Sequence, residues 1–140
     1  MASRRDFLRW LPLGAAAAVG LRPTGLWAEV RAGTALTHPE PRNGIDGSGV
    51  LTSADLPDHP PETHAIYDMI REIPQIADGI GCACGCAALP GYRSLLTCYS
   101  EGGMAMGCYI CQGEAKLAYR RFNEGQTLEQ IRRAIDGRYG

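Results

Sequence analysis

The stretch that decides the fold begins Cys82-Ala83-Cys84-Gly85-Cys86, passes Cys98 and ends Cys108-Tyr109-Ile110-Cys111, and it holds all six cysteines of the 140-residue chain. Short spacings reduce the chain entropy lost in gathering several thiols at one point, which is what a soft-metal site requires. The same stretch separates helical patterns on its two sides.

Upstream, Ile66, Met69, Ile70, Ile73, Ala77 and Ile80 recur at helical spacing and form one apolar face. Asp58 reads as the N-cap, with Pro60 and Pro61 in a first turn where a missing amide donor costs little. Pro74 either kinks this helix or starts a second short one, because its ring clashes with the carbonyl four residues back. Gly79 and Gly81 end the run and free the chain to turn into the cysteines. Inside the stretch, Tyr92, Leu95, Leu96 and Tyr99 suit a short helix with Cys98 near its end, and Glu101-Gly102-Gly103 breaks it.

Downstream, Cys108, Cys111, Ala115, Ala118 and Phe122 fall on the inward stripe of a longer helix stopped by Gly125. Thr127-Leu128-Glu129-Gln130 is a capping-box pattern that opens a last helix, with Leu128, Ile131 and Ile135 on its face and an end near Gly137. No strand run and no internal repeat is evident. The fold class predicted is all-α: residues 60–140 as a small domain of three to four short helices organised around a cysteine-rich loop. A core of about 80 residues is marginal alone, so the cysteines are expected to act as its staple.

Six thiols admit several chemistries. An extended segment would point Cys82, Cys84 and Cys86 to one side, and Cys108 and Cys111 would add two sulfurs at a helix start that lowers their thiol pKa. With Cys98 this exceeds the four ligands of one tetrahedral zinc or one iron-sulfur cluster, so a multinuclear site with bridging sulfurs is favoured. Soft ligation puts copper(I) first, with zinc or an iron-sulfur cluster as alternatives. Met104 and Met106 offer two possible thioether ligands, although loop packing also accounts for them. A disulfide-stapled module without metal is the competing reading, since bridging Cys82 to Cys84 or Cys84 to Cys86 is sterically tight but pairing all three with Cys98, Cys108 and Cys111 is open. A Cys108–Cys111 redox couple is a third, though the strands of a thioredoxin-like unit are missing.

Other chemistry finds little support. His38, His59 and His64 read as solvated or surface residues, and no Ser/His/Asp arrangement or phosphate loop is present, so enzymatic function is not expected. Asp46-Gly47-Ser48-Gly49-Val50-Leu51 with Asp55 resembles part of a calcium loop, but Gly44 stands at its first acidic position, Asp55 is shorter than the usual final Glu and no helix precedes it, so a Gly-rich turn is the better reading. Net charge is −1. Without a basic surplus there is no electrostatic footprint for nucleic acid.

Residues 1–28 contain Arg4-Arg5-Asp6-Phe7-Leu8 and then a mildly apolar run from Trp10 to Leu21, which resembles a twin-arginine signal peptide. That run is well short of the roughly 20 residues of a membrane span, so no stable transmembrane segment is expected. Residues 29–59, rich in Pro, Gly, Asp and Ser, read as an irregular linker. The expectation is export by the twin-arginine machinery to a periplasmic or other extracytoplasmic location. Free thiols in such an oxidising place call for an occupant or for disulfides.

The cysteine pattern also resembles a family of exported bacterial proteins and lipoproteins named for the motif Pro-Cys-Tyr-Cys-Gly-Cys. The similarity runs from Ile73-Pro74 through the Cys82–Cys86 triplet, Gly91-Tyr92-Arg93-Ser94 leading to Cys98, Gly107-Cys108-Tyr109-Ile110-Cys111, and Ile131-Arg132 with Ile135-Asp136. Gly81 and Ala83 replace the motif's Pro and Tyr, Tyr92 stands where members often have His, and the segment Gly102 to Met106 carries no His. The resemblance implies a helical, cysteine-stapled fold and, with those histidines missing, ligation by sulfur alone. The sequence thus predicts an exported protein that stores, sequesters or delivers a soft metal, with a metal-accepting protein as a possible partner.

Overall fold

A computed structural model of the chain describes residues 36–140. The signal peptide read at residues 1–28 and the first part of the linker lie outside the described residues. Among the described residues the regular elements are helical and no strand occurs. They are α1 (Pro61–Glu72), α2 (Pro74–Asp78), α3 (Tyr109–Asn123) and α4 (Leu128–Tyr139), with 3-10 turns at Ser53–Asp55, Cys86–Ala88 and Leu95–Tyr99. The all-α expectation holds.

Local chemistry sets the boundaries. Pro74 starts a new helix instead of kinking the old one: Ile73 leaves the helical region at φ −124°, ψ 46°, and α2 follows at once. Asp58 is not the N-cap of α1. It sits in a turn, and Pro60, in extended backbone, occupies the cap position. Thr127 and Gln130 form the capping box read from sequence, with Thr127 N donating to Gln130 Oε1 at 2.9 Å. Helix α4 runs past Gly137 to Tyr139, because one glycine weakens a helix without ending it.

Helix α3 is central and packs against α4, α1, α2 and the Leu95–Tyr99 turn. Ile70, Ile80, Leu95, Ile131 and Ile135 are fully buried around it. Each such side chain contributes about 1.5–3 kcal/mol by leaving water. Tyr67 and Tyr99 meet edge to face with centroids 4.7 Å apart. Phe122, placed on the inward stripe by periodicity, is instead 43 % exposed, because α3 outruns the elements that cover it.

Residues 36–60 have the irregular backbone expected of a linker, yet they are packed against the helices. Val50 and Leu56 are buried in the core, and Leu51 N donates to Tyr99 O at 3.0 Å. His38, read as solvated, is largely covered: Gly81 N donates to its Nδ1 at 3.0 Å. Its Nε2 therefore carries the proton and donates to Asp136 Oδ1 at 3.0 Å, on α4. Arg132 of α4 ties this segment, a strap across the helices, to the end of α2 by donating to Pro39 O and Gly79 O. Gly81 must remain glycine, since a Cβ there would run into the Thr37 carbonyl.

Candidate metal centre

Three local devices aim the thiols at one place. The Cys82–Cys86 segment is a turn, not the extended segment expected, with Gly85 in the left-handed region at φ 85° and Cys86 opening a 3-10 turn. Cys98 is fixed by the second 3-10 turn, where Leu95 N donates to Ile80 O at 2.7 Å and Ala105 N donates to Cys98 O at 3.0 Å. Gly103 allows that approach, because a Cβ there would strike the Cys98 carbonyl. Cys108 caps α3, its sulfur accepting from Cys111 N at 3.5 Å, while Tyr99 Oη donates to Cys111 O at 2.9 Å and holds the first helical turn.

The result is a continuous sulfur cluster. Cys82 Sγ lies 3.3 Å from both Cys84 Sγ and Cys111 Sγ, and Cys84 and Cys111 are 3.6 Å apart. Cys86 and Cys98 are in contact at 3.2 Å. The sulfurs of Cys82, Cys84 and Cys86, of Cys82, Cys98 and Cys111, and of Cys84, Cys108 and Cys111 each fall within 4.8 Å of one another. Thiolates around one ion at about 2.3 Å sit about 3.8 Å apart, so these triads can hold a metal ion after shifts of a few tenths of an ångström. Cys82, Cys86, Cys98 and Cys111 are buried, whereas Cys84 and Cys108 are half-buried and form the accessible edge.

Their surroundings favour the protonated form of Cys82, Cys86, Cys98 and Cys111. Hydrogen bonding with the Cys111 thiol, then burial and the nearby Glu114 carboxylate, push the Cys82 thiol up. Cys98 is lowered by its bond with Cys111 but raised more by Cys82 and burial. Cys111, lowered by Cys82, is raised more by Cys98, burial and Cys108 together. The expectation that the start of α3 lowers the Cys111 pKa therefore fails: desolvation and neighbouring sulfurs outweigh the helix terminus. The one thiol whose pKa moves down is Cys84, where burial is outweighed by hydrogen bonds from the Cys86 side chain and amide and from the Cys82 and Cys111 thiols.

Glu114 was not anticipated. It is fully buried on α3, Oε1 accepts from Ala83 N at 2.9 Å, and Oε2 has no partner. Burial pushes its carboxyl up against the opposing bonds from Cys82 and Ala83. Its signal was available: it sits three residues after Cys111, a charged residue on the apolar stripe that carries Ala115 and Ala118. Of the methionines, Met104 is exposed and Met106 packs half-buried against the core. His64 spends Nε2 on Leu56 O at 2.8 Å, so it belongs to the fold of the strap.

Among known proteins, no family model, curated protein or solved structure matches this chain. Among the described residues, no helix is long and apolar enough to cross a membrane.

Proposed function

We propose that this chain is an exported, non-enzymatic protein that binds Cu(I) through Cys82, Cys84, Cys86, Cys98, Cys108 and Cys111, for storage, sequestration or delivery to a metal-accepting partner. The observation that carries the reading is the overlap of three thiol triads, in which Cys82, Cys84 and Cys111 each belong to two. Shared sulfurs are what a polynuclear thiolate centre needs, and soft sulfur donors favour Cu(I) over harder ions. Zinc would use four of the six thiols and leave two over. The paired arginines near the N-terminus support export through the twin-arginine route to a periplasmic location. The likeness of the cysteine spacing to the Pro-Cys-Tyr-Cys-Gly-Cys proteins supports an extracytoplasmic role.

The test is the native intact mass of the chain purified without oxygen from its own host. Whole copper equivalents above the apo mass, with thiols that react only after chelation and unfolding, support the reading. A different metal corrects the ion, and a metal-free chain that takes up no added Cu(I) overturns the proposal. Cys84→Ser removes a sulfur shared by two triads and is expected to lower both copper content and thermal stability.

A further inference from the structure

We infer that the metal-free protein closes its six thiols into three disulfides of one connectivity, Cys86–Cys98, Cys82–Cys111 and Cys84–Cys108, and that this state excludes bound metal. The exclusion rests on the Cu(I) reading above; the connectivity does not.

The pairing follows from contact distances. Cys86–Cys98 at 3.2 Å and Cys82–Cys111 at 3.3 Å are the two shortest sulfur contacts between separate parts of the chain, and they share no residue. A disulfide has its sulfurs about 2.05 Å apart, so each pair closes when its sulfurs draw about 1.2 Å nearer. The equally short Cys82–Cys84 contact joins residues two apart, where the ring is too tight for ordinary disulfide geometry. Closing Cys84–Cys111 instead would take Cys111 from Cys82 across a longer contact of 3.6 Å. The two sulfurs left over, Cys84 and Cys108, stand within 4.8 Å of each other in one triad.

The accessible edge sets the order. Cys84 and Cys108 are half-buried and the other four thiols are buried, so a disulfide oxidant meets this pair first. The Cys84 thiolate attacks the oxidant's S–S bond, forms a mixed disulfide and expels one thiol. Cys108 then attacks Cys84 Sγ and expels the second. The protein loses two protons and two electrons, and the oxidant disulfide takes up both and leaves as two thiols. Two further exchanges of the same stoichiometry close the buried pairs. Since every sulfur in a disulfide is lost as a thiolate ligand, oxidation discharges the centre.

The full reduced chain, metal-free or loaded with Cu(I), is incubated with oxidised glutathione and cleaved at Arg93 and at Met104 and Met106, which separates the three cysteine groups, and tandem fragmentation of the linked peptides then locates the bonded cysteine within each group. The expected product is lighter by about six hydrogens, carries the three named bonds and has lost all its copper. With limiting oxidant the first bond is Cys84–Cys108. Any other connectivity, or a glutathione adduct that persists on the chain, overturns the pairing. Copper retained by the fully bonded chain overturns the exclusion. A chain that forms the named bonds but never takes up Cu(I) sinks the copper reading while the connectivity stands.

Discussion

Two buried polar regions lie close together in this protein and are built on opposite plans. Asp78, at the end of α2, is fully buried, but its carboxylate accepts from Arg42 N, Nε and Nη2, from Ser94 Oγ at 3.0 Å, and pairs with Arg93 at 2.9 Å. Burial alone would raise its pKa, yet those bonds and the Arg42 charge hold it down at about 2. The thiols of the cysteine cluster are bonded among themselves, to Ser94 O and to Cys111 N, with Glu114 as the nearest charge, so no side-chain cation serves them among the described residues. The hub around Asp78 is electrostatically complete. The cluster becomes so if its protons stay on or if a cation takes their place, and its triads could hold one.

The largest effect should come from supplying that cation. Cu(I) at a thousandfold excess over its dissociation constant stabilises the fold by about 4 kcal/mol, on the order of 20 °C in Tm, read by calorimetry without oxygen. A negligible shift would mean that the cluster, like the hub, is already complete. Next comes Asp78→Asn, which removes the counter-charge of Arg42 and Arg93, both partly exposed to water, and is expected to cost about 2 kcal/mol in chemical denaturation through the weakened bonds to the carboxylate. That loss should be the same with and without Cu(I). A loss that Cu(I) repairs would show that the two regions are one.

How far the sequence reaches differs between these regions for physical reasons. The cysteine cluster is legible because its residues are close in the chain and of one chemical type. The helices α1, α3 and α4 are legible from period, and the start of α4 from its capping box, whereas Pro74 left α2 open and the short helix read around Cys98 is a 3-10 turn. The hub is invisible by comparison: Arg42, Asp78, Arg93 and Ser94 come from distant positions, and nothing in a charged residue near a helix end marks it as buried. His38 misleads for the same reason, since its partners Gly81 and Asp136 are far away in sequence. The stripe of α3 identified Cys111, Ala115 and Ala118 but placed Phe122 inside, because periodicity gives a direction and not the length of the neighbour that covers it.

Acid and alkali should separate the regions. The Asp78 carboxyl has a folded pKa below its ordinary 3.8, so its contribution of about 2 kcal/mol is present above that value and is lost as pH falls toward about 2. The thiols of Cys82, Cys98 and Cys111 have folded pKa values above the ordinary 9.0, so their contribution is present below pH 9.0 and is lost as pH rises past it. Cu(I) loading should abolish the alkaline loss, because the bound thiols are already deprotonated, and should leave the acid loss of Asp78 unchanged. An alkaline edge that survives loading would remove these thiols from the ligand set. A comparable effect, about 2 kcal/mol in either form, is expected for Gly81→Ala, whose new methyl meets the backbone of Thr37 and not the sulfurs.

The smallest expected effect bears most directly on whether the centre is sulfur alone. Glu114→Gln keeps an oxygen to accept from Ala83 N, removes the negative charge beside Cys82, and puts an amide donor where Oε2 has no partner. The metal-free protein should therefore change by no more than about 1 kcal/mol, since the amide donor gains no partner there, and Cys82 should ionise more readily, read as faster alkylation at a fixed pH. Cu(I) binding, relieved of a repulsive charge near its thiolates, should hold or strengthen. Glu114→Ala is the control for packing, because it strands the Ala83 amide and should weaken the fold with or without metal. Loss of Cu(I) affinity in Glu114→Gln, with the fold intact, would make the carboxylate a working part of the centre and bring it closer to the mixed sulfur and oxygen donors that zinc accepts.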